Sequence, residues 1–389
     1  MIATAIAWLI ALVVSPPSQP QPQPQPSQTP ASYVGSAACA RCHAPMYDRW
    51  KVTRMANVVR DPKVHPDAFI PDFSTPDPLL TFTKDRVAFV YGSKWKQRYF
   101  ARNGDDYVPL PATWDITARV WRPYAAHGPT SQACDGCHSV NLDVETKTVT
   151  EWNVGCERCH GPGGTHAALP SRTNIVNPAR LDPVRANDTC IQCHSEGQPL
   201  AAPAGGSYSW PVGFRMGLNL RDFWRLDTNM LDTQDALHFS DGTGRENRMQ
   251  GNDFVQSVMY TRGVTCFSCH DPHGSGNPSE LVKSTRLVGL TCHGATSPNG
   301  PHTPTVEAHT HHAAGSPGSE CINCHMPAIQ TVIGDARVRS HTFRFISPSE
   351  TDSLKVPNPC TTCHTVRSTA WATGALRTWP EFSPWRVAR

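Results

Sequence analysis

After residue 14 the chain has no apolar run that could cross a membrane, which takes roughly 20 residues in a helix. Charge of one sign is missing too. Its 35 Lys and Arg stand against 32 Asp and Glu, a formal +3, which argues against the basic face of a nucleic-acid binder. Lysine is scarce, supplying 8 of the 35 cations, and arginine supplies the rest. Arginine forms planar bidentate pairs with carboxylates, whereas lysine offers a point charge. No stock of spare cysteine exists for disulfide staples, because fourteen of the fifteen cysteines fall in one repeated pattern.

That pattern is Cys-x-x-Cys-His, present seven times: Cys39-Cys42-His43, Cys134-Cys137-His138, Cys156-Cys159-His160, Cys190-Cys193-His194, Cys266-Cys269-His270, Cys321-Cys324-His325 and Cys360-Cys363-His364. It is the attachment signature of c-type haem. On a helical turn, residues three and four apart share a face. Two thiols at i and i+3 therefore meet the two vinyl groups of a porphyrin, and the imidazole at i+4 reaches the iron from below. A zinc site also uses Cys-x-x-Cys but needs no histidine directly after every second cysteine. A disulfide framework explains that histidine no better. The propionates of bound haem turn the formal charge negative, and some of the many arginines are expected to clamp them.

The fifteenth cysteine, Cys292, is followed at once by His293, with Gly289 where a first cysteine would stand. One thioether and a proximal histidine suffice for an eighth haem; a lone oxidisable thiol is the alternative. The motif histidines from His138 are spaced 22 and 34 residues apart, and those from His270, counting His293, 23 and 32. The near-match hints at internal duplication and puts Cys292-His293 where a haem motif belongs.

Residues 1–15 read as the apolar core of a secretory signal, with a short uncleaved anchor as the alternative. A Pro/Gln tether follows over 16–32, then a multihaem domain over 33–367 and a tail over 368–389. Proline is 36 of 389 residues. Proline breaks helices, so the expected fold is mainly α with much irregular structure, organised around covalently bound haems. A small antiparallel β meander is expected near residues 79–110, from Leu80–Phe82, Val87–Tyr91, Trp95–Phe100 and Tyr107–Leu110, with Asn103-Gly104 as a turn.

Ten histidines remain after the eight proximal ones. As distal ligands we take His65, His127, His166, His238, His273, His309, His312 and His341, leaving His302 and His311. His166 and His273 are too close in sequence to their preceding motif histidines to cap the same iron, so each should serve a neighbour. His309 and His312, three apart, could share one helical face.

The segment Tyr33-Val34-Gly35-Ser36-Ala37-Ala38-Cys39 to His43, with Tyr47 and Trp50, resembles the first haem segment of the cytochrome c-554/c-prime-like multihaem cytochromes. So do Trp152 to Gly163, Cys269-His270-Asp271-Pro272-His273-Gly274 and Cys324-His325-Met326-Pro327. The resemblance implies periplasmic electron transfer through closely packed haems, mostly with two histidine ligands. Relatives carry a ligating histidine in a Ser-x-His-Ala-like stretch after the tryptophan, where this chain has Thr53-Arg54-Met55-Ala56. Met55 as ligand, His65 in its place, and a five-coordinate iron are the three options there.

The function expected is an exported electron carrier with seven or eight haems and other redox proteins as donor and acceptor. The alternative is an oxidoreductase acting on a small nitrogen or sulfur compound at one open haem. The lysine-bearing motif of nitrite reductases is absent. Polymerisation into an extracellular wire is a third reading.

Overall fold

Each attachment motif is itself about one helical turn, and this keeps the helices short. The computed structural model describes residues 32–125, 128–228, 235–294 and 305–379. Single-turn helices at Asp135–His138, Cys156–His160, Leu290–His293, Cys321–His325 and Pro359–Cys363 carry five of the motifs. The longest helix, Ser36–Trp50, leaves helical geometry at His43 (φ −115°, ψ 36°) and contains Pro45. Proline lacks the N–H and crowds the carbonyl four residues back, so this helix bends where its motif ends.

Five antiparallel strands form the one larger sheet: β1 (Val59–Arg60), β2 (Phe89–Tyr91), β3 (Lys96–Asn103), β4 (Asp106–Asp115) and β5 (Val120–Pro123), in that order. Asn103 pairs with Asp106, so Gly104 and Asp105 are the turn, and Gly104 takes the positive φ (+64°) that a tight hairpin needs. Val90, Tyr99, Ala101, Leu110, Ala112 and Trp121 pack with Ala68, Phe82 and Val87 into an aromatic-rich core. Gln97 is buried among them. Its amide donates to the Ala68 carbonyl at 2.9 Å, and its oxygen accepts from Ile70 N at 3.0 Å and Tyr99 Oη at 2.8 Å. A second cluster, Val59, Phe89, Tyr91 and Phe100, meets Trp152 and Cys134. The sheet thus has its own core and backs the Cys134–His138 motif.

The expectation of a mainly α chain is wrong. Of the described residues, 33% are helical and 16% strand. Three two-stranded ribbons join the larger sheet: Ser139–Val140 with Glu151–Trp152, Gly197–Pro199 with Trp224–Leu226, and Ala328–Ile333 with Ala336–Arg339. One-turn motifs separated by Pro- and Gly-rich links do not propagate helices, and the intervening backbone finds partners across short strands instead. Leu80–Phe82 is not a strand; Phe82 enters the core from a loop. Residues Thr369–Arg377 form a helix capped by the Ser368 hydroxyl, burying Ala372 and Leu376. Among the described residues no helix is long and apolar enough to cross a membrane. The 1–31 segment lies outside the described residues.

Candidate haem-binding sites

Five motif histidines face a second imidazole drawn from elsewhere in the chain. The ring centroids are 6.3 Å apart for His43 and His166, 6.1 Å for His160 and His273, and 6.5 Å for His270 and His341. They are 6.1 Å apart for His309 and His325, and 6.2 Å for His312 and His364. Interplanar angles run from 15° to 33°. Direct ring stacking would be closer. Given metal–nitrogen bonds of about 2 Å, an ion with one imidazole on each side sets the centroids about 6 Å apart. Among the described residues no group of three or more His, Cys, Asp or Glu converges as a bare metal ion would need, and no cysteine is disulfide-bonded.

Local backbone aims these rings. Nδ1 of His160 bonds the Val176 carbonyl at 2.8 Å, His270 that of Ser279 at 2.8 Å, and His341 that of Arg339 at 3.0 Å. His166 meets the Ser171 carbonyl and Asn174 Oδ1, both at 3.0 Å, and His312 the Thr310 carbonyl at 2.5 Å. A hydrogen bond at Nδ1 leaves Nε2 for a metal and fixes the ring. Ser279 and Glu280 adopt φ of 55° and 56°, an unusual pair of left-handed non-glycine residues that turns the Ser279 carbonyl to His270. Burial pushes His160 and His270 down, and His341 down to about 4, keeping them neutral as ligands must be.

His309 and His312 do not share a helical face. The helix Val306–Thr310 ends before His311, which is left-handed (φ 53°), so His309 and His312 meet different motifs. His166 stands opposite His43, at the motif for which Met55 and His65 were weighed as ligands. Met55 instead lines the central cavity, and His65 is exposed at the start of a 3-10 turn. His238 is 2% exposed, lies 3.2 Å from Asp235, and faces no imidazole among the described residues. His127 and His302 lie outside the described residues.

The motifs pack against one another. The Cys39 thiol lies against that of Cys156, Cys137 against Cys193, and Cys190 against Cys266. Cys159 neighbours Cys193, and Cys269 neighbours Cys292. A Cβ at Gly289 would come 3.9 Å from Cys321 Sγ, which places the incomplete motif beside the next one. Buried Glu157, between the two cysteines of its motif, accepts from Val34 N, Gly35 N and Gly163 N at 3.0, 2.8 and 2.6 Å. Glu151 accepts from Ser36 N and Oγ, and Trp50 Nε1 donates to the Val154 carbonyl. These contacts dock the first motif on the third, a role that sequence reading did not give Glu157. An acidic residue inside an attachment motif is the signal that could have found it.

A cavity of about 3630 Å³ runs among the motifs from Cys134 to His364. Single-ligand pockets are about 300–1,000 Å³, so this one has room for several porphyrins. Buried Nε atoms of Arg98, Arg158 and Arg248 have no acceptor. Unpaired buried donors are costly, and the propionates of haem would satisfy them. The residues present fit the group.

His138, His194 and His293 face no second imidazole among the described residues. His138 is the most enclosed. Burial first, then Arg248 and other cations, push it down to about 4. Its Nδ1 has no partner, and Tyr91 lies edge-on at 5.6 Å. Tyr91 Oη donates to Asp135 Oδ1 at 2.7 Å. A ring so near the His138 imidazole, tied to a residue of the same motif, would flank that imidazole and not stand opposite it.

Residues 260–298 match the doubled CXXCH motif family, a span that takes in both Cys266–His270 and Cys292-His293. The chain is 22% identical over 325 residues to the dissimilatory sulfite reductase MccA of Wolinella succinogenes, covering 63% of this chain and 42% of that protein. It is 24% identical over 174 residues to the multihaem cytochrome MtrA of Shewanella baltica, covering 40% and 47%. It thus spans less than half the length of these curated relatives. The fold resembles the outer cell wall cytochrome OcwA, with TM-score 0.74 and 22% identity over 89% of this chain and 86% of that one. An undecahaem cytochrome from the S-layer of Carboxydothermus ferrireducens follows at TM-score 0.53 and 20% identity, covering 91% and 62%. In its repeated attachment motifs and in these likenesses, the chain is similar to multihaem c-type cytochromes.

Proposed function

We propose that this protein is an exported electron carrier holding eight haems c. Seven sit on complete motifs, and the eighth is held by Cys292 and His293 alone. The observation that carries the reading is the set of five imidazole pairs near 6 Å, each joining a motif histidine to a remote one. When bound, haem supplies one-electron chemistry at iron. Each pair of imidazoles would hold its group from both sides, so these five sites favour electron transfer over substrate binding. The five distal residues are His166, His273, His309, His312 and His341. The doubled-motif match across residues 260–298 supports the eighth site. Structural likeness to an outer cell wall cytochrome and an S-layer cytochrome supports export, and with it docking to redox partners outside the cytoplasm. The likeness of the first motif segment to the cytochrome c-554/c-prime-like group supports the same reading. Intact mass of the mature protein tests the count: eight haems are expected, and Cys292→Ala should lose one. An unchanged count in that variant would refute the eighth site.

One observation favours a second reading, a small sulfur or nitrogen compound reacting at the His138 haem. No imidazole faces His138 among the described residues, and a relative carries the name sulfite reductase. A high-spin ferric signal that shifts on adding sulfite or nitrite would support it; no response to either would leave only the carrier.

A further inference from the structure

We infer that the residues around Cys134, Cys137 and His138 make their haem, packed against the His194 motif, the first in the chain to be reduced. The inference rests on the reading above only in needing a haem at this motif.

Position comes first. Cys137 Sγ lies 3.9 Å from the Gln192 carbonyl, and Cys193 Sγ 4.0 Å from that of Cys137, so the second and fourth motifs interlock. The fourth motif also meets the third where Arg158 approaches Cys193 Sγ at 4.0 Å, and the fifth where Cys190 lies against Cys266. The line runs on from the fifth motif, with Cys269 near Cys292, to Gly289 and Cys321. The Cys39 motif joins at the third. The line therefore passes through His194, and the His138 motif packs on it, with the His138 carbonyl also accepting from Asn153 N just ahead of the third motif.

Electrostatics favour the reduced state there. Reduction makes the iron site one unit less positive, so nearby cations and a weakly donating ligand raise its potential. Arg248, Arg98 and Arg158 line the same cavity as His138, each with a buried Nε that has no acceptor. Glu196 holds Arg248 at 2.6 Å, Arg98 lies over the Tyr124 ring at 4.1 Å, and Arg158 approaches Cys193 Sγ at 4.0 Å. Two propionates would at most neutralise the remaining guanidiniums, whereas propionates facing water keep their full negative charge. The opposing groups are Asp135, which Tyr91 Oη and Thr130 Oγ1 hold by hydrogen bonds at 2.7 and 2.8 Å, and buried Asp106, which Ser131 Oγ holds. The ligand acts in the same direction as the arginines. A hydrogen bond from Nδ1 raises imidazole basicity and favours ferric iron. His160 and His270 each have one to a carbonyl, and buried His138 has none.

The test is potentiometric titration of the full-length holoprotein, followed by visible and EPR spectra, beside the Cys134→Ala/Cys137→Ala, Arg248→Gln and Arg98→Gln variants. Peptide mass mapping first establishes haem on the Cys134–Cys137 peptide; its absence there would break the parent reading, not the ordering. The component reduced at the highest potential should vanish from the double variant, with the other components in place. That component should move to lower potential in Arg248→Gln and in Arg98→Gln, which keep every attachment cysteine and so stand in if the double variant fails to fold. Persistence of the highest component in the double variant, or its staying put in both arginine variants, would overturn the inference.

Discussion

His166, His273, His309, His312 and His341 each stand opposite a motif histidine, and each can be removed without touching an attachment cysteine. Replacing any one by alanine should leave the haem count unchanged and convert one low-spin ferric centre to high-spin, read by EPR. The supply of histidines nearly matching demand was legible in the sequence, and so was the need for His166 and His273 to serve other motifs. The pairings were not. Partners such as His43 and His166 are joined only by the tertiary docking of Ser36–Trp50 on the third motif, through Glu157 and Glu151. His238 had the composition of a ligand, yet it faces no second imidazole among the described residues, and its nearest charged partner is Asp235.

At the scale of elements, the small residue inside a motif has a packing role. A Cβ at Gly136, between Cys134 and Cys137, would fall 1.9 Å from Trp210 Cδ2. Trp210 is 5% exposed and donates from Nε1 to the Ser131 carbonyl at 3.0 Å, so it has little freedom to retreat. Gly136→Ala should therefore destabilise the holoprotein by about 1–3 kcal/mol, the usual penalty of overpacking, seen as a lower midpoint in denaturant unfolding. An unchanged midpoint would mean the ring can move. Strands β2 to β4 were readable from their β-forming residues, and the turn falls on Gly104 and Asp105, one residue beyond the expected Asn103-Gly104. The edge strand Val120–Pro123 was missed because it is short and ends in proline, and Phe82 resembled a strand residue because its environment is the sheet core. The helical content was overread because a motif turn looks helical locally while its neighbours end it.

For the molecule as a whole, three buried carboxyls set a pH dependence. Burial pushes Asp135, Asp188 and Asp253 up to about 6, against hydrogen bonds that pull the other way. Between about pH 4 and 6 these three carboxyls hold protons that the unfolded chain has released, so their contribution to stability falls as pH rises through that window, against the opposite contribution of the buried imidazoles of His138 and His341. Denaturant midpoints at a series of pH values, measured for the parent chain and Asp188→Asn, check the sign: the variant should lose less stability, or gain more, as pH rises from about 4 to 6. At this scale the sequence was most informative about cofactor and least about arrangement. Seven motifs name the haem, but their order in space depends on contacts between thiols distant in the chain, such as Cys39 with Cys156 and Cys190 with Cys266.

The central claim is that most of these haems are closed on both faces by histidine and conduct rather than react. Quantitative EPR of the fully oxidised holoprotein addresses it directly. At least five low-spin ferric centres per chain are expected, one for each imidazole pair, with any high-spin signal confined to the His138, His194 and His293 sites. A spectrum with fewer than five low-spin centres, or one dominated by high-spin iron, would contradict the account.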